Sequence, residues 1–160
     1  MHESEVLTGP PSHPPQASCG FYLAPRGAGF ALHMSASEDH LREMRQVVFK
    51  AVAGAGIGEE VAGESARLVA SELVGNAVRA CGPWAPVVVQ VHPGERDVLV
   101  QVHDPEPDSR PVRGEQAPDN AEEVTGRGLW ILDAIAPGWT VESTPLGKQI
   151  TCILPAGHGS

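Results

Sequence analysis

Glu72 and Asn76 lie four residues apart in SELVGNAVRA, the stretch from Ser71 to Ala80. On a helix that spacing places them one turn apart on a single face. Leu73, Val74, Ala77 and Val78 around them are apolar, so a carboxylate and a carboxamide there need partners to offset their burial. An Asn carbonyl oxygen suits a hard cation such as Mg²⁺, which prefers oxygen ligands and keeps several waters. A Glu one turn earlier can accept a proton from a water or hydroxyl nucleophile. Asp104, a lone acceptor closing the run VLVQVHD, is a second feature of this kind. The third is Gly126-Arg127-Gly128-Leu129. Its two glycines let the backbone approach a phosphate, a following helix start offers free N–H groups, and Arg127 adds charge. Taken singly, each also has an ordinary structural reading: a solvated or internally paired helix face, an Asp turn before Pro105, and a flexible connection.

The elements that must position these groups can be read from hydrophobic periodicity. Ser37 is placed to cap a helix, with Glu38 and Asp39 in the first turn where the dipole favours negative charge. Leu41, Met44, Val47, Val48 and Val52 follow at helical spacing, and GAGIG, residues 54–58, ends the run. A second helix is expected from Glu59 to Cys81, stopped by Gly82 and Pro83. VVVQVHPGERDVLVQVHD, Val87 to Asp104, then reads as a β-hairpin around a Pro-Gly turn. With His92 opposite Asp97, Val91 would face Val98, Val89 would face Val100, and Val87 would face Val102. Alternation puts these valines on one buried face. Asp104 has the same parity and should point inward, with His103 pointing away. GFALHMS, Gly29 to Ser35, reads as a short edge strand. Pro105 to Thr125 has no apolar period and reads as a lid or disordered segment. GRG leads into a short helix through Ile135, and Trp139 to Ser143 and Gln149 to Leu154 read as two closing strands.

The bulk numbers are those of one domain. The chain has 160 residues, 41% hydrophobic but only 4% aromatic, so its core must rest on Val, Leu, Ile and Ala. Twenty acidic against 11 basic residues give a net charge of −9. No Lys/Arg cluster is present to displace counterions from DNA or RNA. Three scattered cysteines form neither a CxxC pair nor a disulfide framework. Cys81 and Cys152 read as small core residues, and Trp130 and Trp139 as core packing. The histidines lack ligand spacing. With no apolar run able to span a bilayer and no basic, apolar leader, the expected setting is the cytoplasm. Residues 1–27, rich in Pro, Gly and Ser, read as a flexible tail; 28–156 form the folded domain; 157–160 are a short C-terminal tail.

SELVGNAVRA, HDPEP, GRGLWIL and the ending GKQITCILP, in that order, resemble the motifs of the GHKL or Bergerat ATP-binding superfamily, which includes histidine kinases and gyrase-type ATPases. The nearest resemblance is to its bacterial anti-sigma-factor serine kinase-like branch, over roughly Gly29 to Pro155. It implies an α+β fold, a two-layer α/β sandwich with a mixed, mostly antiparallel sheet and helices on one face. It also implies ATP and Mg²⁺ as ligands. Asn76 would coordinate the Mg²⁺, Glu72 would be the general base for an attacking serine hydroxyl, and Asp104 would accept a hydrogen bond from the adenine amino group. Gly126, Arg127, Gly128 and Leu129 would lie along the phosphates. The implied activity is serine/threonine phosphorylation of an anti-sigma factor antagonist, with a sigma factor as a second partner and homodimerisation open. The alternative is a non-catalytic, ATP-gated interaction module. The chain departs from the pattern at Pro105-Glu106-Pro107, where the superfamily has Gly-x-Gly. It departs again at Lys148, where many relatives carry a small hydroxyl residue.

Overall fold

The protein is described by a computed structural model over residues 16–54, 59–107 and 124–155. Within these, the order is β1 (Gln16–Ser18), β2 (Phe21–Arg26), β3 (Gly29–Ser35), α1 (Glu38–Ala53), α2 (Glu59–Cys81), β4 (Pro86–Pro93) and β5 (Asp97–Asp104). α3 (Val124–Ile135), β6 (Thr140–Thr144) and β7 (Gly147–Pro155) complete it. The strands form one seven-stranded sheet in the order β1-β2-β3-β4-β5-β7-β6. The expected α+β sandwich is present. Among the described residues every strand pair is antiparallel, so the sheet is not mixed.

The two long helices form where the periodicity puts them. Ser37 caps α1, its hydroxyl accepting from the His40 N–H at 3.2 Å, with Glu38 and Asp39 in the first turn. Met44, Val48 and Val52 are fully buried along one stripe of α1. Ala66, Val69, Ala70, Leu73, Val74 and Ala77 do the same on α2. Both stripes join one apolar core with Val87, Val89 and Val91 of β4 and Val98, Val100 and Val102 of β5. The opposite sides of these strands, among them Gln90, Gln101 and His103, are half-buried. The helices therefore cover one face of the sheet.

The hairpin pairs differently from the expectation. Val89 faces Val102, Val91 faces Val100 and Pro93 faces Val98, a slip of two residues. The turn is tighter than PGER: the Gly94 N–H bonds the Asp97 carbonyl at 2.7 Å. A slip of two preserves parity, so the same valines face the core and Asp104, 1% exposed, still points inward.

At the N-terminal side the structure corrects the sequence reading. β3 is not an edge strand, because β2 pairs along its whole length, Phe21 opposite Met34 through Arg26 opposite Gly29. Phe21 is 3% exposed and sits against the His40 ring, with ring centroids 5.3 Å apart. Residues 16–26, assigned to the flexible tail, thus belong to the sheet. Their Pro/Gly-rich surroundings hid six residues whose strand conformation depends on β3. Trp139 is buried and donates its indole N–H to Asp133 at 2.8 Å, whereas Trp130 is half exposed. Cys152 is buried but Cys81, expected in the core, is exposed. The lid expectation falls mostly on residues 108–123, outside the described residues, as do residues 1–15, 55–58 and 156–160.

The start of β7 is held tightly against the end of β5. Gly147 adopts φ +150°, and a Cβ there would lie 1.9 Å from the Asp104 carbonyl oxygen. No side chain fits. Gly147→Ala therefore combines backbone strain with a steric clash, and urea denaturation should show a loss of at least about 2 kcal/mol. Burial raises the pKa of the Cys152 thiol from its ordinary 9.0 to about 12. The folded state keeps this thiol protonated where the unfolded chain ionises. Its stabilising contribution is thus intact below about pH 9 and is lost as pH rises toward 12. Cys152→Ala should show a shallower fall in stability over that window, read by denaturation at successive pH values.

Candidate functional site

Asp104 ends β5 on the buried face, directly opposite Lys148 of β7. Lys148 shares the parity of Ile150, Cys152 and Leu154, all buried, so it too is drawn inside, at 2% exposure. The two side chains meet: Lys148 Nζ lies 2.9 Å from Asp104 Oδ1. The same ammonium donates to the Glu106 carbonyl oxygen at 2.9 Å, and the Glu106 N–H donates back to Asp104 Oδ1 at 2.9 Å. A closed polar ring results, satisfying groups whose burial would otherwise be costly. Removing one member of such a pair costs about 3–5 kcal/mol, because it strands a buried charge.

The end of α2 lies beside this ring. Partial burial raises the Cys81 pKa, and the carboxylates of Asp104 and Glu106 raise it further against the opposing pull of Lys148. Asn76 is five residues back from Cys81 on the same helix, about 7.5 Å along its axis at 1.5 Å per residue. Its Oδ1 accepts from the Arg79 guanidinium. Its Nδ2 is buried and has no hydrogen-bond partner in the described structure. A buried N–H donor without an acceptor is costly and is suited to an incoming anionic oxygen such as that of a phosphate. Mg²⁺ would need the same Oδ1 that Arg79 holds, together with phosphate oxygens and waters. The donor set therefore fits a phosphate as it stands and fits a metal once Arg79 turns away.

Glu72 is half-buried, one turn earlier than Asn76. It lines an open groove of about 520 Å³ together with Arg45 of α1 and Arg67 and Ser71 of α2. Arg45 donates to the Ser71 hydroxyl at 3.0 Å, which ties the two helices together there. Gly126, Arg127, Gly128 and Leu129 lie in the first turns of α3, not in a turn before it. Glycine costs about 1 kcal/mol in a helix interior, which is why GRG reads from sequence as a connection leading into the helix. Packing of α3 on α2 compensates for it, with Leu132 fully buried. The side chains of Arg127 and Leu129 lie outside the described residues.

The structure thus brings Asp104 to the last turn of α2 and sets Glu72 and Asn76 on that helix, with α3 packed on it. No hydrogen bond among the described residues joins Glu72 or Asn76 to Asp104. Two participants lacked an assigned role in the sequence reading, Lys148 and Arg79. The parity of β7 aims Lys148 inward, but the aspartate opposite it emerges only from the pairing of β7 with β5. The second follows from the three-residue spacing of Asn76 and Arg79 on a helix. Among the described residues, no group of three or more His, Cys, Asp or Glu side chains could hold a metal ion. No described helix is long and apolar enough to cross a membrane.

No curated protein matches the sequence. Residues 34–154 match the family profile of the histidine kinase-like ATPase domain, a span from the end of β3 to the end of β7 that contains Glu72, Asn76, Asp104 and the GRG segment. The match supports ATP binding, and with three quarters of its length inside the profile, the chain belongs to the histidine kinase-like ATPase domain family.

Proposed function

We propose that this protein binds Mg-ATP and phosphorylates a serine or threonine of a protein partner, an anti-sigma factor antagonist, in the cytoplasm, with a sigma factor as a second binding partner. The observation that supports this most is the Asn76 amide, buried without a partner on the same helix as Glu72, one turn away. A triphosphate oxygen would satisfy it. The base would lie toward Asp104, beside the last turn of α2, and the phosphates farther back along the helix. Helix α3, which carries GRG and packs on α2, would lie along the phosphates.

Glu72 borders an open groove, so a side chain from another protein can reach it without passing through the core. Its carboxylate would take the proton from the acceptor hydroxyl as that oxygen bonds to the γ-phosphorus and the bond to ADP breaks. Arg79 and Lys148 would contribute positive charge beside the polyphosphate and the base. Bound Mg²⁺ would supply neutralisation of phosphate charge, held at Asn76 Oδ1.

A second reading, a non-catalytic module that changes shape with ATP, is favoured by one observation. Asp104 is already engaged by Lys148, and Pro105-Glu106-Pro107 replaces a flexible glycine pair. Transfer to the partner distinguishes the two. With γ-labelled ATP and a candidate antagonist, Glu72→Ala should lower transfer by at least about 100-fold while ATP binding is retained. Unchanged transfer would remove Glu72 as the base, and absent transfer by the unaltered protein would favour the module. Binding itself is read by thermal denaturation. Mg-ATP at about 100-fold above its Kd should add about 2.7 kcal/mol of stability, and Asn76→Ala should reduce that gain.

A further inference from the structure

The buried ring around Asp104 has a consequence for which nucleotides the site accepts. If Asp104 is where a base amino group docks, as in the function proposed above, that position already holds a stronger donor. Lys148 Nζ is 2.9 Å from Asp104 Oδ1, and both side chains are 2% exposed. The second acceptor direction of the same oxygen takes the Glu106 N–H at 2.9 Å. The ammonium–carboxylate bond carries charge on both partners, whereas the amino–carboxylate bond that would replace it carries charge on the acceptor alone. The ammonium is also fixed from the other side by the Glu106 carbonyl at 2.9 Å, so it cannot swing aside without abandoning two bonds. Gly147, with its positive φ and no room for a Cβ, holds the backbone of Lys148 against the end of β5.

We propose that Lys148 is a specificity-determining residue that occupies the base-reading carboxylate of Asp104, weakening adenine nucleotides and removing discrimination between adenine and guanine. A bare carboxylate accepts from the amino group of adenine and repels the carbonyl oxygen of guanine. Beside an ammonium, that repulsion is relieved, because the guanine carbonyl gains a donor while its ring N–H faces the carboxylate. A small hydroxyl residue in place of Lys148 leaves Asp104 open to the adenine amino group. It also withdraws the positive charge, which by itself weakens every nucleotide alike. Affinity and selectivity therefore separate the two effects.

The test compares Mg-ATP and Mg-GTP binding by calorimetry for the full chain, Lys148→Thr and Asp104→Asn/Lys148→Met, with circular dichroism to verify folding. Lys148→Thr should bind ATP about tenfold more tightly than the unaltered protein, with GTP affinity unchanged or lower. The double variant, which keeps the buried stem but lacks both charges, should show no such gain. Should Lys148→Thr not fold, Lys148→Met carries the same expectation. If the ratio of ATP to GTP affinity is unchanged, Lys148 does not compete for the base and the proposal is overturned, while the nucleotide site stands. If neither nucleotide binds to any folded variant, the nucleotide site itself is lost, and this inference with it.

Discussion

A carboxylate and an ammonium withdrawn almost wholly from water can remain inside a protein only while each holds the other. Asp104 and Lys148 are such a pair, and much of the architecture near the site follows from keeping them together. Strand alternation sends both inward from adjacent strands. Gly147 lets β7 begin close enough for them to meet, and the Glu106 backbone adds one hydrogen bond to each partner. The chain leaving β5 is thereby fixed in direction at the point where it departs from the sheet. The last turn of α2 is near enough for its Cys81 thiol to feel the charges. Whatever binds along α2 meets a polar centre that is already internally neutral, rather than an open acid.

The features legible in the sequence are those set by local pattern. The boundaries of α2 are marked by Glu59 on one side and Gly82-Pro83 on the other, and the apolar stripe between them leaves little choice. The Ser37 cap is visible because the chemistry of capping is local. Hairpin parity was readable from alternation alone. Its register was not, because it depends on whether the turn closes at His92 or at Gly94, a choice between nearly equivalent loops. The inward Asp104 survived that error, since a slip of two leaves every side chain on its own face.

What was not legible depends on distant partners. β2 contains a proline and lies in a Pro/Gly-rich context, and its order comes from β3 and from Phe21 packing near His40. The GRG segment suggests a break by propensity, yet helix packing against α2 outweighs two glycines. The inward Lys148 conflicts with the rule that lysine stays outside, and only pairing β7 with β5 reveals the aspartate opposite it. Family membership over residues 34–154 accounts for the shared scaffold. Asp104 and Lys148 both lie within that span.

The two rims of the sheet also matter for how the molecule meets its neighbours. Among the described residues the outermost strands are β1, with three residues, and β6, with five. Strands so short present few unpaired backbone groups, whereas the long central ones are shielded on both sides. Lateral growth of the sheet, from copy to copy, finds little template here.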